Sequence, residues 1–396
     1  MSDLLKMLGR SRPLFERDIA VHEARLRELV DGSRILVVGG AGSIGQAVVQ
    51  ELFVRSPARL HVVDISENNL VELVRDIRSS LGYIKGEFKT FAIDFTSVEF
   101  QALLGSTGGY DYVFNLSALK HVRSERDEFT LMRMLDVNAL ATDRLLAWCN
   151  EQGAKRLFCV STDKATNPAN MMGCSKRIME LMLFAGCGST TVSTARFANV
   201  AFSDGSLLHG FNQRIAKQQP ISAPSDVRRY FITRKESGLL CMSACLLGAA
   251  RETFFPKIES DLRLITFSEI ADRYLRSIGY EPVRCATEEE ARAKVEMLRR
   301  RRQWPVFYFD SDTSGEKPFE EFFTPSSDVD MTRFEDIGVI RNPMPHNLEG
   351  LHAFRTQINR LKAGREWSKS QLLTLFQSLV PEFKHQETGK YLDDRM

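Results

Sequence analysis

The chain has 396 residues, of which 43% are hydrophobic and 26% are charged, so it can bury a sizeable core and wholesale disorder is excluded. With 53 Lys and Arg against 51 Asp and Glu, the net charge is only +2, which disfavours a nucleic-acid-binding protein. The 7 cysteines are odd in number and include no CxxC pair, which argues against a disulfide framework or a zinc ribbon. This pattern favours a protein of the reducing cytoplasm. The longest apolar stretch, residues 238–250, is too short to span a bilayer comfortably, and the N-terminus lacks a signal-peptide pattern. We therefore expect a soluble cytoplasmic protein without membrane insertion.

The first half of the chain alternates short apolar strands with helical segments. Residues 1–30 are predicted to form a helical arm. Strands are predicted at residues 34–39, 59–64, 90–95, 110–118, 156–162 and 190–197. Such alternation is typical of a parallel sheet wrapped by helices. The sequence therefore predicts an α/β fold with a Rossmann-type doubly wound parallel sheet over residues 31–205.

The pattern becomes irregular after residue 205, where turns rich in Gly, Pro and Ser interrupt the chain. We expect a smaller substrate-binding lobe over residues 206–335. Residues 336–396 carry apolar residues at helical spacing and are predicted to form a helical tail. This tail would pack on the body of the protein or on a second subunit, and we expect a homo-oligomer.

A glycine-rich turn follows the first predicted strand and opens the first helix of the sheet domain. Gly39 and Gly42 let the backbone turn tightly and approach a pyrophosphate, and Gly45 lets the helix pack close to the sheet. Ser43 and Ile44 lie at the helix N-terminus, which offers unpaired N–H groups to phosphates. Because a strand precedes this turn and a helix follows it, the turn indicates a dinucleotide site.

Acidic residues end the next two predicted strands and suggest how the adenosine part of a dinucleotide is bound. Asp64 can accept both ribose hydroxyls and would repel a 2′-phosphate, and no arginine follows directly. NAD is therefore favoured over NADP, and Ser66 beside Asp64 is included among the cofactor-binding residues. Asp94 would accept from the adenine amine, while Phe95 is either a cofactor contact or plain core.

The most informative segment is residues 160–176, which begins at the end of the fifth predicted strand. Thr162, Asp163 and Lys164 lie at the edge of an open α/β sheet where ligands bind, and the helix that follows carries Lys176. An adjacent Asp and Lys form either an exposed ion pair of little energetic value or an acid–base pair. Their place at the sheet edge favours the acid–base pair.

Taken together, these motifs resemble the extended short-chain dehydrogenase/reductase family. Within it they look like the CapD-like nucleotide-sugar 4,6-dehydratases of polysaccharide biosynthesis. The resemblance covers most of residues 31–320. It rests on motifs at residues 39–45, 118–121, 161–164, 172–176, 196–200, 229–231 and 315–318.

The resemblance implies that UDP-N-acetylglucosamine is converted to a 4-keto-6-deoxy sugar with tightly bound NAD. Oxidation at C4 acidifies the C5 proton, which leaves together with the C6 hydroxyl, and C6 is then reduced, so no net redox change occurs. Most relatives have a tyrosine where this chain has Met172, and methionine cannot transfer a proton. A subgroup of the CapD-like enzymes shares the methionine.

The proton chemistry is assigned by analogy. Asp163 would serve C4 and the leaving group at C6, and Lys164 would serve C5. Thr162 would hydrogen-bond the C4 oxygen, and Lys176 would hold the nicotinamide ribose. As a base, Lys164 must be partly neutral, which burial or neighbouring positive charge would favour.

Further contacts are carried over from the same resemblance. The remaining cofactor contacts are Ser117, Ala118 and Lys120, and the substrate contacts are Lys120, His121, Asn199, Ser206 and Arg229. Arg229 would pair with the diphosphate or form a surface salt bridge, and His121 is a site residue or a packing residue. Residues 123–130 differ from the family's Pro-rich version of this segment, which bears on the geometry of the substrate lid. The identity of the substrate's sugar and nucleobase therefore remains open.

Several alternatives remain at this point. A GDP-linked N-acetylglucosamine is a second candidate substrate. A nucleotide-sugar 4-epimerase or reductase would need one proton relay, normally the tyrosine, and would have no use for an Asp–Lys elimination pair. In a different class, the chain would be an inactive NAD-binding regulator. None of these interpretations requires a metal.

Overall fold

The computed structural model describes residues 3–258, 262–313, 315–317 and 319–390, so Pro318 of the predicted 315–318 motif and the outermost residues of the arm and the tail lie outside it. The strands are β1 (Arg34–Val38), β2 (Arg59–Asp64), β3 (Glu87–Ala92), β4 (Tyr112–Asn115), β5 (Arg156–Val160), β6 (Thr191–Ala195), β7 (Asn199–Val200), β8 (Ile221–Pro224), β9 (Arg228–Arg229), β10 (Phe231–Ile232), β11 (Glu252–Pro256), β12 (Ile265–Thr266), β13 (Glu281–Arg284), β14 (Gln303–Phe309), β15 (Asp328–Asp330) and β16 (Ile337–Arg341).

The helices follow the same chain order. They are α1 (Asp3–Met7), α2 (Glu16–Val30), α3 (Ser43–Phe53), α4 (Glu67–Ser80), α5 (Val98–Ser106), α6 (Glu128–Leu135), α7 (Ala141–Gln152), α8 (Met171–Ala185), α9 (Leu207–Ala216), α10 (Arg234–Leu247), α11 (Phe267–Ser277), α12 (Glu288–Arg299), α13 (Leu348–Gly364) and α14 (Lys369–Leu379). Single 3-10 turns form at Val122–Glu125 and Asp163–Ala165, and a π turn forms at Asp136–Leu140.

The main sheet confirms the predicted Rossmann-type α/β fold. Its strands lie in the order β15-β16-β11-β6-β5-β4-β1-β2-β3. The strands from β3 to β11 are parallel, and β16 and β15 complete one edge in antiparallel pairing. Because the strand order reverses between β1 and β4, a crevice for ligands forms at the carboxyl ends of these two strands.

Each face of the sheet is covered by helices, which explains why the strands read as continuous apolar runs. Ile35 and Val37 of β1 join a core with residues of α2, α3, α4 and α10. Leu36 and Val38 point to the opposite face and join a core with α5, α6, α7 and α8. Residues 238–247 of the longest apolar stretch form most of α10, which packs on α3.

A smaller lobe is built on a three-stranded parallel sheet of β13, β14 and β8. Trp304 of β14 and Ile270 of α11 are buried in its core. The chain also returns to the main sheet after residue 205, because β11, β15 and β16 all pair there. This arrangement differs from the contiguous boundaries proposed from sequence, since alternation of elements along the chain does not reveal a late return to an earlier sheet.

The N-terminal arm is held on the body by one buried and one partly buried ion pair. The guanidinium of Arg10 donates to both carboxylate oxygens of Glu236 at 2.8 and 2.6 Å. Arg12 pairs in the same bidentate way with the buried Asp336 at 2.8 and 2.6 Å. Bidentate pairs of this kind fix orientation as well as distance, so the arm has a defined path across the protein.

The C-terminal helices α13 and α14 pack on the sheet-covering helices of the second core. Leu351 and Phe376 are buried there with residues of α8. Beyond α14, the backbone N–H groups of Lys384 and Gln386 donate to the carbonyls of Pro168 and Ala169 at 3.2 and 3.0 Å. The tail therefore touches the loop that follows β5. Among the described residues, no helix combines the length and apolar character needed to cross a bilayer.

Candidate active site

The glycine-rich turn has the geometry that a dinucleotide site requires. Gly39 has a φ of 72°, and a Cβ there would lie 2.6 Å from the backbone nitrogen of Ser117. A Cβ on Gly45 would lie 2.2 Å from the carbonyl oxygen of Gly39, so both glycines are required by packing. In contrast, a Cβ on Gly42 would meet nothing closer than 3.7 Å. The protein therefore leaves space at Gly42, at the N-terminus of α3, where a diphosphate would fit.

Asp64 supports this turn from the end of β2. Its Oδ2 accepts from the backbone N–H of Ala41, and its Oδ1 accepts from that of Ser66, both at 2.9 Å. Ser66 caps α4 by accepting from the N–H of Asn69 at 3.3 Å. Each carboxylate oxygen of Asp64 keeps acceptor capacity beyond these bonds, so ribose binding remains a prediction that this geometry permits.

Asp94 and Phe95 lie at the opposite end of the crevice, after β3. Asp94 accepts from the backbone and hydroxyl of Thr96 at 2.9 and 2.8 Å and forms an ion pair with Arg133. Burial would raise the pKa of Asp94, but these hydrogen bonds and the charge of Arg133 lower it. Phe95 is buried and packs edge-on against Phe100, as expected for core. Adenine contact by either residue stays a prediction.

Several predicted ligand contacts surround the loop at residues 204–206. The hydroxyl of Ser43 donates to the carboxylate of Asp204 and accepts from its N–H, both at 2.8 Å. Lys120 Nζ donates to the carbonyl of Asp204 at 2.7 Å. Ser206 caps α9, and a Cβ on Gly205 would come within 3.0 Å of Nε2 of His121. The sequence gives no signal for Asp204, because this residue lies outside every motif identified there.

The remaining predicted contacts lie on both sides of this loop. Ser117 and Ala118 follow β4 and are half-buried, as is Ile44 on α3. Asn199 lies in β7, where its N–H donates to the carbonyl of Tyr230 at 2.9 Å. These positions line up along the carboxyl ends of the strands, as the ligand-binding edge of this fold requires.

The Asp163–Lys164 pair lies directly after β5 and is not a surface ion pair. Asp163 is only 3% exposed. Its Oδ1 accepts from Lys164 Nζ at 3.1 Å and from the hydroxyl of Thr162 at 3.0 Å. A buried, hydrogen-bonded pair at the ligand-binding edge fits acid–base chemistry better than surface solvation.

The neighbours of Lys164 oppose the partly neutral amine that a base requires. Burial would lower its pKa, but the charges of Asp163 and Glu320 outweigh burial and raise the pKa. Both carboxylates therefore favour the ammonium form of Lys164 over a neutral amine. Glu320 could not be recognised as a neighbour from the sequence, because it is far from Lys164 in the chain.

Helix α8 presents Met172 and Lys176 behind this pair. Asn170 caps the helix by accepting from the N–H of Gly173 at 2.8 Å, and buried Glu125 accepts from the N–H of Met171 at 2.6 Å. Met172 is buried, and its thioether cannot transfer a proton as a phenol would at this position. Lys176 Nζ donates to the carbonyl of Val160 at 3.0 Å, and burial lowers the pKa of Lys176 to about 8.

A buried network that the sequence did not predict fixes α8 against β5. Glu180 accepts from Ser161 at 2.7 Å and from Arg196 at 2.9 and 2.7 Å. Arg196 also donates to the carbonyl of Phe322 at 2.7 Å. On the other side, Asn138 donates to Ser175 at 3.0 Å. Arg196 belongs to the motif at residues 196–200, but nothing in that motif indicates that Glu180 is its partner.

Arg229 is also found beside the Asp163–Lys164 pair. Its guanidinium is 3% exposed on the side chain and forms an ion pair with Glu316, and it donates to the carbonyl of Lys317 at 2.9 Å. Glu320 lies 3.9 Å from it. The structure thus brings Arg229 to the Lys164 side of the crevice, and a substrate diphosphate would compete there with Glu316.

Comparison with known proteins identifies the family. The family described as polysaccharide biosynthesis protein matches residues 35–342. The chain belongs to this family. The match takes in the glycine-rich turn, β5, α8 and Glu320, and it ends before α13.

Individual relatives of this polysaccharide biosynthesis protein are distant. An uncharacterized membrane protein of Methanocaldococcus jannaschii is 29% identical over 80% of this chain and 87% of its own length. The capsular polysaccharide biosynthesis protein CapD of Staphylococcus aureus is 26% identical over 64% of this chain and 42% of its own length, so the chain spans less than half of CapD. A UDP-N-acetylglucosamine 4,6-dehydratase (inverting) of Campylobacter jejuni is 26% identical over 59% of this chain and 69% of its own length.

Solved structures support the fold. The X-ray structure of Pen from Bacillus thuringiensis has a TM-score of 0.64 and 21% identity, and the match covers 80% of this chain and 89% of Pen. At this level of identity the likeness concerns the arrangement of strands and helices and leaves the chemistry to the residues of the site.

Proposed function

We propose that this polysaccharide biosynthesis protein is a nucleotide-sugar 4,6-dehydratase that acts on UDP-N-acetylglucosamine. The observation that carries the proposal is the buried Asp163–Lys164 pair at the carboxyl end of β5, next to a position where Met172 replaces a phenol. An elimination needs an acid and a base together, and this pair supplies both. The name of the Campylobacter relative supports this substrate class, and the name of CapD supports a role in polysaccharide biosynthesis.

The proposed cofactor is NAD. The open space at Gly42, the first N–H groups of α3, which have no acceptor within the helix, and the acceptor oxygens of Asp64 fit a dinucleotide diphosphate and a ribose without a 2′-phosphate. When bound, NAD would supply reversible hydride removal from the sugar. Lys176, which is close to its pKa at neutral to mildly basic pH, would hold the nicotinamide ribose as a cation. Lys120 and Ser43 would border the diphosphate from the crevice side.

The ion pair itself can provide both proton steps of the elimination. Transfer of one proton along the 3.1 Å contact from Lys164 Nζ to Asp163 Oδ1 gives a neutral amine and a carboxylic acid. The amine then takes the C5 proton, while the carboxylic acid protonates the C6 hydroxyl, which leaves as water. Both groups thereby return to ammonium and carboxylate. When C6 is reduced, Lys164 would give its proton back to C5, and the proton released from the C4 hydroxyl on oxidation would restore the ammonium, so the whole cycle balances. Thr162, already hydrogen-bonded to Asp163, would donate to the C4 oxygen.

The test is incubation of the purified protein with UDP- or GDP-N-acetylglucosamine in deuterated water, with the product analysed by NMR. The proposal expects a 4-keto-6-deoxy sugar from the UDP-linked substrate, with C5 stereochemistry read from the same spectrum. Product from the GDP-linked sugar alone would change the nucleotide assignment. A C4 epimer that keeps its C6 hydroxyl would instead establish an epimerase, and no reaction with either sugar would favour an NAD-binding regulator.

A further inference from the structure

A buried carboxylate that the mechanism above does not use faces Lys164. Glu320 is 3% exposed, and its Oε1 lies 3.8 Å from Lys164 Nζ. Two more cations surround it, Lys317 at 3.6 Å and Arg229 at 3.9 Å. No donor among the described residues hydrogen-bonds to its Oε2 atom. Glu320 therefore interacts with its neighbours through charge at moderate distance rather than through fixed hydrogen bonds.

The chain on either side of Glu320 is hydrogen-bonded to the loop that follows the Asp163–Lys164 pair. Lys317 Nζ donates to the carbonyl of Thr166 at 3.0 Å, and the carbonyl of Phe322 accepts from the hydroxyl of Thr166 at 3.1 Å. The amide of Asn170 donates to the carbonyl of Gly315 at 3.1 Å. Because these bonds hold both flanks, the carboxylate keeps its distance from Lys164 without a direct hydrogen bond.

The charges around Lys164 show what this carboxylate adds. Asp163 and Glu320 both favour the ammonium, while Arg229 opposes it. Burial and the charge of Asp163 raise the pKa of Glu320, and the charges of Lys164, Arg229 and Lys317 only partly offset this rise. A carboxylate within 4 Å of an ammonium in a buried site is a strong influence on its protonation.

We propose that Glu320 is a positioning residue of the catalytic pair, whose negative charge sets the protonation state of Lys164 and so the pH range in which that lysine serves as a base. Its role in turnover rests on the proposed dehydratase function. Its influence on Lys164 does not, and it can be measured without any substrate.

The first experiment is a titration of Lys164 in the full-length protein. Lysines are methylated reductively with ¹³C-formaldehyde, the Lys164 signal is identified by its loss in Lys164→Arg, and its NMR shift is followed against pH. Glu320→Gln is expected to move the Lys164 titration about one pH unit or more to lower pH. Glu321→Gln is the matched control, because Glu321 is exposed and its neighbour is Asn167 rather than Lys164. Glu320→Asp keeps the charge and should give a smaller shift.

The second experiment is the pH profile of turnover in the same variants. Since the Lys164 ammonium supplies the proton that Asp163 passes on, activity ends where Lys164 loses that proton to solvent, so the basic limb of kcat should move to lower pH in Glu320→Gln, with KM changed less than kcat. An unchanged Lys164 titration in a folded Glu320→Gln protein, or an equal shift in Glu321→Gln, would overturn the inference. If the wild type forms no dehydration product, the proposed function fails, and the NMR titration still decides the role of Glu320.

Discussion

Gly173 lies against the carbonyl of Lys164 so closely that a Cβ at position 173 would be 2.3 Å from that oxygen. Helix α8 and the turn that carries Asp163 and Lys164 are therefore in backbone contact. Only glycine permits this approach, because any side chain would push the turn away from the helix. The geometry of the pair thus depends on a residue that performs no chemistry.

Gly173→Ala tests this contact. We expect a loss of about 1–3 kcal/mol in the free energy of unfolding together with a fall in kcat, because the added methyl group displaces the Lys164 turn. Gly105→Ala is the control, since Gly105 lies in α5 where a Cβ would meet no atom of the described residues within 4 Å, and alanine there should stabilise by about 0.5–1 kcal/mol. Chemical denaturation and initial rates measure both effects. Full stability and activity in Gly173→Ala would contradict the argument.

Asp163→Asn separates catalysis from cofactor binding. The amide keeps the size of the side chain but cannot carry the proton that the C6 hydroxyl requires, so 4-keto product should disappear while NAD binding persists. NAD binding can be followed by calorimetry and the product by NMR. Asp310→Asn, at an exposed position of the smaller lobe, should behave as wild type. Normal turnover in Asp163→Asn would remove this residue from the mechanism.

Met172 should be dispensable for the chemistry. Met172→Leu conserves volume and is expected to lose less than about 1.5 kcal/mol of stability while retaining turnover. Met172→Ala leaves a cavity at a buried position and should lose about 2–5 kcal/mol, yet it should still form product below its unfolding temperature. Loss of product in a folded Met172→Leu protein would show that the thioether itself takes part.

Lys176 gives a prediction for stability against pH. Burial lowers its pKa from 10.5 to about 8, so between these values the unfolded chain binds more protons than the folded protein. Stability contributed by this residue must therefore rise with pH from about 8 to 10.5. The difference in unfolding free energy between wild type and Lys176→Met should change in favour of wild type across this window. If this difference in unfolding free energy did not change with pH, the Lys176 ammonium would not be buried in the folded protein.

The Glu180–Arg196 pair should matter far more to stability than surface ion pairs do. Glu180→Gln leaves the buried guanidinium without its carboxylate and is expected to lose about 3–5 kcal/mol. Glu335→Gln breaks the exposed pair with Arg17 and should lose less than about 1 kcal/mol. Denaturant unfolding of the two variants provides the comparison. Similar losses of unfolding free energy would contradict the argument that burial makes the Glu180–Arg196 pair the more important one.

Features carried by short stretches of sequence were predictable, because local spacing determines them. The glycine turn from Gly39 to Gly45 and the acid that ends β2 could be recognised in this way, and the parallel sheet follows from the alternation of elements. Contacts between distant segments could not be predicted. Neither the ion pair of Arg133 with Asp94 nor the approach of Glu320 to Lys164 follows any spacing rule, since the fold alone brings these residues together.

The family match ends at residue 342, whereas the helices that begin at Leu348 share a hydrophobic core with α8. Cutting the chain at the family boundary would uncover the apolar side of α8 and remove the hydrogen bonds that Pro168 and Ala169 accept. Such a fragment would expose an apolar surface of the kind that drives aggregation. Any exchange of the matched region between these proteins should therefore include α13, α14 and the segment after them together with the Rossmann core.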